Sequence, residues 1–150
     1  MRNYRVYLAQ YSGNVHRPND PNRHMEIVVI TRLEGKTEIG IAFHITGDTT
    51  SWRFTVTEDL HWINSAYCGR IPLGTIPATP TALQALENLL RTNHIYHNDA
   101  MFNCQRWAWT AGLLMIEHKY PVIEFPHDFR AFLEAMEASY GNWNNGNDSD

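Results

Sequence analysis

The run His24–Ile45, HMEIVVITRLEGKTEIGIAFHI, decides how this chain folds. Its first arm, Met25-Glu26-Ile27-Val28-Val29-Ile30, is almost continuously apolar, the pattern of a strand covered on both faces. Its second arm alternates, with Ile39, Ile41, Phe43 and Ile45 on one face and Gly40, Ala42 and His44 on the other. The polar break Leu33-Glu34-Gly35-Lys36-Thr37 joins the arms into a hairpin. Turn length then sets the register. A three-residue loop at Leu33-Glu34-Gly35 places His24 opposite His44, with side chains on one face. A two-residue Glu34-Gly35 turn places Ile45 opposite His24 and sends the two imidazoles to opposite faces.

Around this hairpin, Tyr4–Tyr11 is rich in β-formers and ends at Ser12-Gly13. Residues 13–23 form a turn-rich polar loop with Pro18 and Pro21. Trp52–Thr57 and Gly69–Ile76 supply further extended pieces. The second half is helical. Thr79-Pro80 opens a helix in which Leu83, Leu86, Leu89 and Leu90 recur at helical spacing. Asn103 or a close neighbour caps a second helix that runs to about His118 and stops before Pro121. Cys104, Trp107, Ala108, Ala111, Leu114 and Met115 form its apolar stripe. Pro126 starts a final helix carrying Phe129, Phe132, Leu133 and Met136. The expected fold is a single α+β domain over residues 1–141, a small antiparallel sheet packed against helices. Asn142–Asp150 is a polar, flexible tail.

Composition narrows the function. The chain has 150 residues, a formal net charge of −4, 43% hydrophobic residues and two cysteines. A chain of this size buries enough surface to fold without disulfides, and the apolar content excludes a disordered chain. The acidic balance, with no Lys/Arg cluster, argues against a nucleic-acid backbone as partner. No apolar run reaches the ~18 residues of a membrane span, and the N-terminus lacks a signal-peptide core. Cys68 and Cys104 read as reduced thiols, so a cytoplasmic location is expected.

Cys104 is the first candidate for chemistry. At a helix start, unpaired N–H groups and the helix dipole favour an anion, which lowers a thiol pKa and makes a better nucleophile. The plainer alternative is a free cysteine filling the core. A nucleophile needs a base, and the hairpin offers His24 and His44. A thiol, an imidazole and a second polar group that orients the imidazole make up the general arrangement for thiol catalysis. Each histidine taken alone reads equally as a hydrogen-bonded strand residue.

Taken together, His24 heading an apolar strand, His44 on the next strand and Asn103-Cys104-Gln105-Arg106-Trp107 opening a late helix resemble the circularly permuted papain-like superfamily. That superfamily includes the lecithin:retinol acyltransferase-like proteins and the PPPDE isopeptidases. The chain also resembles a group of fungal proteins with a His-aromatic strand and an Asn-Cys-Gln-x-Trp helix. The likeness spans residues 4–120. It implies a permuted papain-like fold, Cys104 as nucleophile, His24 as general base and His44 as the group orienting it. Met25 departs from the aromatic that often follows the first histidine.

The implied activity is a thiol-dependent hydrolase or acyltransferase acting on a peptide, isopeptide or acyl bond, with a protein or acyl group as substrate. The oxyanion would be stabilised at the helix N-terminus, with Asn103 and Gln105 beside it. Asn103 also reads as a simple cap, and Gln105 and Arg106 as an exposed helix face. The alternative function is a catalytically silent domain of the same fold that binds a protein partner. No cofactor is expected. His94, His97, Asp99 and Cys104 include zinc-type ligand residues, but no second closely spaced pair completes a four-ligand set, so no metal site is expected. No phosphate-binding glycine loop is present.

Overall fold

The computed structural model describes residues 2–13, 20–122 and 124–148. The expected loop residues 14–19 and the last two residues of the tail lie outside them. Five strands, β1 (Asn3–Tyr11), β2 (His24–Glu34), β3 (Thr37–Thr46), β4 (Arg53–His61) and β5 (Tyr67–Pro77), form one antiparallel sheet in the order β4-β3-β2-β1-β5. Helices α1 (Pro80–Arg91), α2 (Cys104–Glu117) and α3 (Phe129–Asn144) follow. The molecule is therefore α+β, with strands first and helices after.

The inner strands send alternate side chains to two buried layers, which explains the unbroken apolar run in β2. Val6, Leu8, Met25, Ile27, Val29, Phe43 and Ile45 face the helices and pack with Leu86, Trp107, Ala108, Phe132 and Met136. Tyr7, Ala9, Tyr11, Val28 and Ile30 face the other way and pack with Trp62 and Tyr67 from the β4–β5 connection. Roughly 25 cal/mol accompanies each Å² of apolar surface so removed from water, so the sheet is stabilised from both sides.

The helix caps are those that sequence chemistry favours. The Thr79 hydroxyl accepts from the Ala82 N–H at 3.1 Å, and Asn103 Oδ1 accepts from the Arg106 N–H at 3.0 Å. The third helix begins later than expected. Asp128, not Pro126, caps it by accepting from the Ala131 N–H at 2.8 Å. The Pro126 carbonyl instead accepts from Trp109 Nε1 at 3.0 Å. Nor does the fold end at residue 141, because α3 continues to Asn144. The Trp143 ring meets Tyr67 edge-on at 6.5 Å, and the Tyr67 hydroxyl donates to Asp148.

The hairpin register matches neither expected turn. Glu34 pairs with Thr37 across a tight Gly35-Lys36 turn, Gly35 taking a φ of 62°. That turn alone would put His24 and His44 on opposite faces. A bulge between Ile30 and Arg32 restores the match by shifting the pairing one residue, so that Ile30 faces Gly40 and Ile27 faces Phe43. Continued outward, this register sets Glu26 opposite His44, with His24 diagonal to it on the same face. Gly40 makes the close approach possible, since a Cβ there would lie 2.7 Å from the Val29 carbonyl oxygen. The small residue thus admits the neighbouring strand.

Candidate functional site

The β2–β3 ladder ends at Ile27 and Phe43. Beyond that point the N-terminus of α2 engages the backbone of β2. Cys104 Sγ donates to the Arg23 carbonyl at 3.8 Å, and the Met25 N–H is directed at the same sulfur. Gln105 Nε2 donates to the Pro21 and Arg23 carbonyls at 2.9 and 3.0 Å. The thiol therefore contacts the peptide groups on either side of His24, although Cys104 and Arg23 are 81 positions apart and the two segments are joined only through the fold.

His24 itself turns to its diagonal neighbour. Its Nε2 lies 3.1 Å from His44 Nδ1, and His44 Nε2 lies 2.9 Å from the Thr57 hydroxyl. The two rings meet edge to face at 5.1 Å. Buried Glu26 completes the group, one oxygen 3.7 Å from His24 Nε2 and the other 3.9 Å from His44 Nε2. This cluster stands on the face away from the helices, at the end of β2 where α2 meets the strand.

Burial controls the charges. It pushes the Glu26 carboxyl up to about 7 and lowers His24. His44 is lowered to about 4, first by burial and then by the charge of His24. At neutral pH both imidazoles are unprotonated and able to accept a proton. The thiol departs from expectation. Backbone N–H groups of Met25, Cys104 and Gln105 pull its pKa down, as a helix start should, but burial outweighs them and the net shift is upward. Cys104 rests as a neutral thiol. Among the described residues no imidazole nitrogen hydrogen-bonds its sulfur.

The other expected site residues have identifiable tasks. Asn103 is the α2 cap. Gln105 is buried rather than exposed, because both its amide hydrogen bonds clamp the 21–23 segment to the helix. Cys68 is buried, its thiol 3.6 Å from the Gln10 carbonyl. His97 bonds the Trp52 carbonyl at 2.8 Å, and His94 packs on Tyr96.

Sequence reasoning missed Arg23, Glu26 and Thr57. Arg23 is buried, pairs with Glu137 and lies 4.2 Å over the Tyr140 ring, fastening the head of β2 to α3. Glu26 carried a readable signal, since residues two apart on a strand share a face and His24 was already a candidate. Thr57 carried none, because its position depends on the β3–β4 register, in which it pairs with Ala42.

Comparison of the chain with models of protein families, with curated proteins and with solved structures finds no match.

Proposed function

We propose that the chain is a thiol-dependent hydrolase or acyltransferase of permuted papain-like architecture, with Cys104 as nucleophile and His24 as base. One observation carries this reading. The Cys104 sulfur is docked on the peptides flanking His24, and His24 is held in a relay to His44 and Thr57. A half-buried neutral thiol and a neutral imidazole call for general-base catalysis rather than a standing thiolate–imidazolium pair. Because the His24 ring lies on the face away from the helices, the sulfur must leave the Arg23 carbonyl and the ring must turn toward α2 before the proton can pass.

In the reaction, sulfur bonds to the carbonyl carbon of an ester, thioester or amide while the thiol proton passes to the His24 imidazole. The carbonyl oxygen becomes an oxyanion facing backbone N–H groups at the α2 N-terminus, where one good donor is worth about 3–4 kcal/mol. The imidazolium returns the proton to the leaving group as the C–X bond breaks. Water, or a second acceptor, then releases the acyl group by the same path in reverse. Asn103 and Gln105 act as positioning residues, through the cap and the clamp.

The test uses a p-nitrophenyl acyl ester. We expect a burst of nitrophenol, an acyl adduct on Cys104 by mass spectrometry, and a loss of at least about 100-fold in acylation rate in His24→Ala. No adduct on Cys104, or equal rates in the variant, would overturn the assignment. The raised thiol pKa and its carbonyl hydrogen bond favour a second reading, a silent domain of this fold that binds a protein partner. In that case Cys104→Ala would lower stability and leave partner binding intact.

A further inference from the structure

The cluster on the helix-free face is chemically richer than a base and its orienting group require. Among the described residues, His24, Glu26 and His44 are the one set of three His, Cys, Asp or Glu side chains whose ligand atoms all lie within 4.8 Å of one another. We propose that these three residues bind a divalent transition-metal ion of the Zn²⁺ class, through His24 Nε2, His44 Nδ1 and a Glu26 oxygen, leaving a fourth position open. The proposal is independent of the thiol reading.

Spacing supports it first. Tetrahedral zinc with bonds of ~2.0–2.1 Å holds adjacent ligand atoms roughly 3.3 Å apart. The observed separations are 3.1 Å between the imidazole nitrogens and 3.7 Å from His24 Nε2 to Glu26. Glu26 approaches His44 at Nε2, 3.9 Å away, so its carboxylate must turn toward Nδ1 to complete the set. The ligand types also suit a borderline ion, two neutral imidazoles and one carboxylate.

The surrounding contacts agree. A metal-bound imidazole usually donates its other N–H to an oxygen that fixes its tautomer and orientation. With Nδ1 on the metal, His44 Nε2–H donates to the Thr57 hydroxyl, the partner already 2.9 Å away. In the metal-free protein the His44 Nδ1 lone pair accepts from His24 Nε2–H. Binding therefore requires His24 to shift its proton from Nε2 to Nδ1, freeing the Nε2 lone pair. Glu26 is buried with a side chain 10% exposed, whereas His24 is 33% exposed, so the open position faces the His24 side, within reach of water. Three protein ligands with one open place is the arrangement of a site that binds or activates a further small molecule. With Nε2 on the metal and the proton on Nδ1, His24 would keep no free lone pair to take the Cys104 proton, so metal occupancy would silence the base.

The experiment is titration of the metal-free full chain with Zn²⁺ by calorimetry and with Co²⁺ by visible absorption. We expect one ion per chain at micromolar affinity or tighter, with Co²⁺ bands of a low-coordinate site and no thiolate charge-transfer band. Glu26→Gln and His44→Ala should weaken binding at least about tenfold, and Thr57→Val by a similar factor through loss of orientation. Cys104→Ala and His97→Ala should leave affinity unchanged, and circular dichroism identifies any variant that has failed to fold. Absence of one-to-one binding by the wild-type chain, a thiolate band, or undiminished affinity in a folded Glu26→Gln would overturn the proposal. Metal binding by a wild-type chain that forms no acyl adduct on Cys104 would overturn the thiol reading alone.

Discussion

At the residue scale, Glu26 and His44 pull stability in opposite directions as pH changes. Glu26 titrates near pH 7 in the folded chain against 4.5 ordinarily, so the folded state holds a proton that the unfolded state has lost. Its contribution falls as pH rises from about 4.5 to 7. His44 titrates near pH 4 against 6.5, so the unfolded state binds more protons in that interval and its contribution rises with pH. The two slopes largely cancel between pH 4.5 and 6.5. Glu26→Gln removes one of them. In metal-free buffer, urea unfolding should show the variant gaining on the wild type by on the order of 2–3 kcal/mol between pH 4.5 and 7. Parallel curves for the two proteins would mean that Glu26 is ionised in the folded state. Cys104 makes the same point about burial. The helix start favours an anion, and enclosure between β2 and α2 wins against it.

At the element scale, the start of α2 is both a helix cap and a fastening. Asn103 satisfies the Arg106 N–H, while Cys104 and Gln105 bond the Arg23 carbonyl at the entry to β2, where β3 no longer pairs with it. Asn103→Ala should lower stability by about 1 kcal/mol, and Asn103→Asp, which keeps the accepting oxygen, by much less. Thermal melts of the two variants decide it, and equal loss in both would assign the cost to something other than the cap. Strand identity, helix identity and the stop of α2 before Pro121 could be read from local residue chemistry. Helix α3, capped by Asp128 and running to Asn144, lies later at both ends than its residues suggest. The hairpin register could not be read locally. A turn at Gly35-Lys36 and a bulge near Thr31 each flip the side-chain parity, and the two flips together return His24 and His44 to a common face. A bulge is set by strand twist together with the close approach at Gly40; the glycine marks a close approach, but not on which strand or at which residue the bulge falls.

At the scale of the whole molecule, the sheet is sandwiched between three helices on one face and a smaller layer built from Trp62, Tyr67 and the end of α3 on the other. The C-terminal residues belong to that layer. Truncation after Gly141 removes Trp143 and the acceptor Asp148 from Tyr67, and should cost about 1–3 kcal/mol in urea unfolding. An unchanged midpoint would return residues 142–148 to the status of a tail. Among the described residues no helix is long and apolar enough to cross a membrane. The polar composition of 142–148 concealed its role because a single tryptophan, packing against a ring some 75 residues earlier, carries the contact.

By itself the sequence determined the α+β class, the placement of strands before helices, the caps of α1 and α2, and the candidacy of Cys104, His24 and His44. Each of these follows from periodicity or from the chemistry of a few adjacent side chains. Only the tertiary structure decided that Glu26 and Thr57 join the two histidines, that Gln105 and Arg23 are buried fasteners, and that the thiol pKa moves upward. Those outcomes depend on strand register and on the exclusion of water between distant segments, and both arise only once the chain has packed.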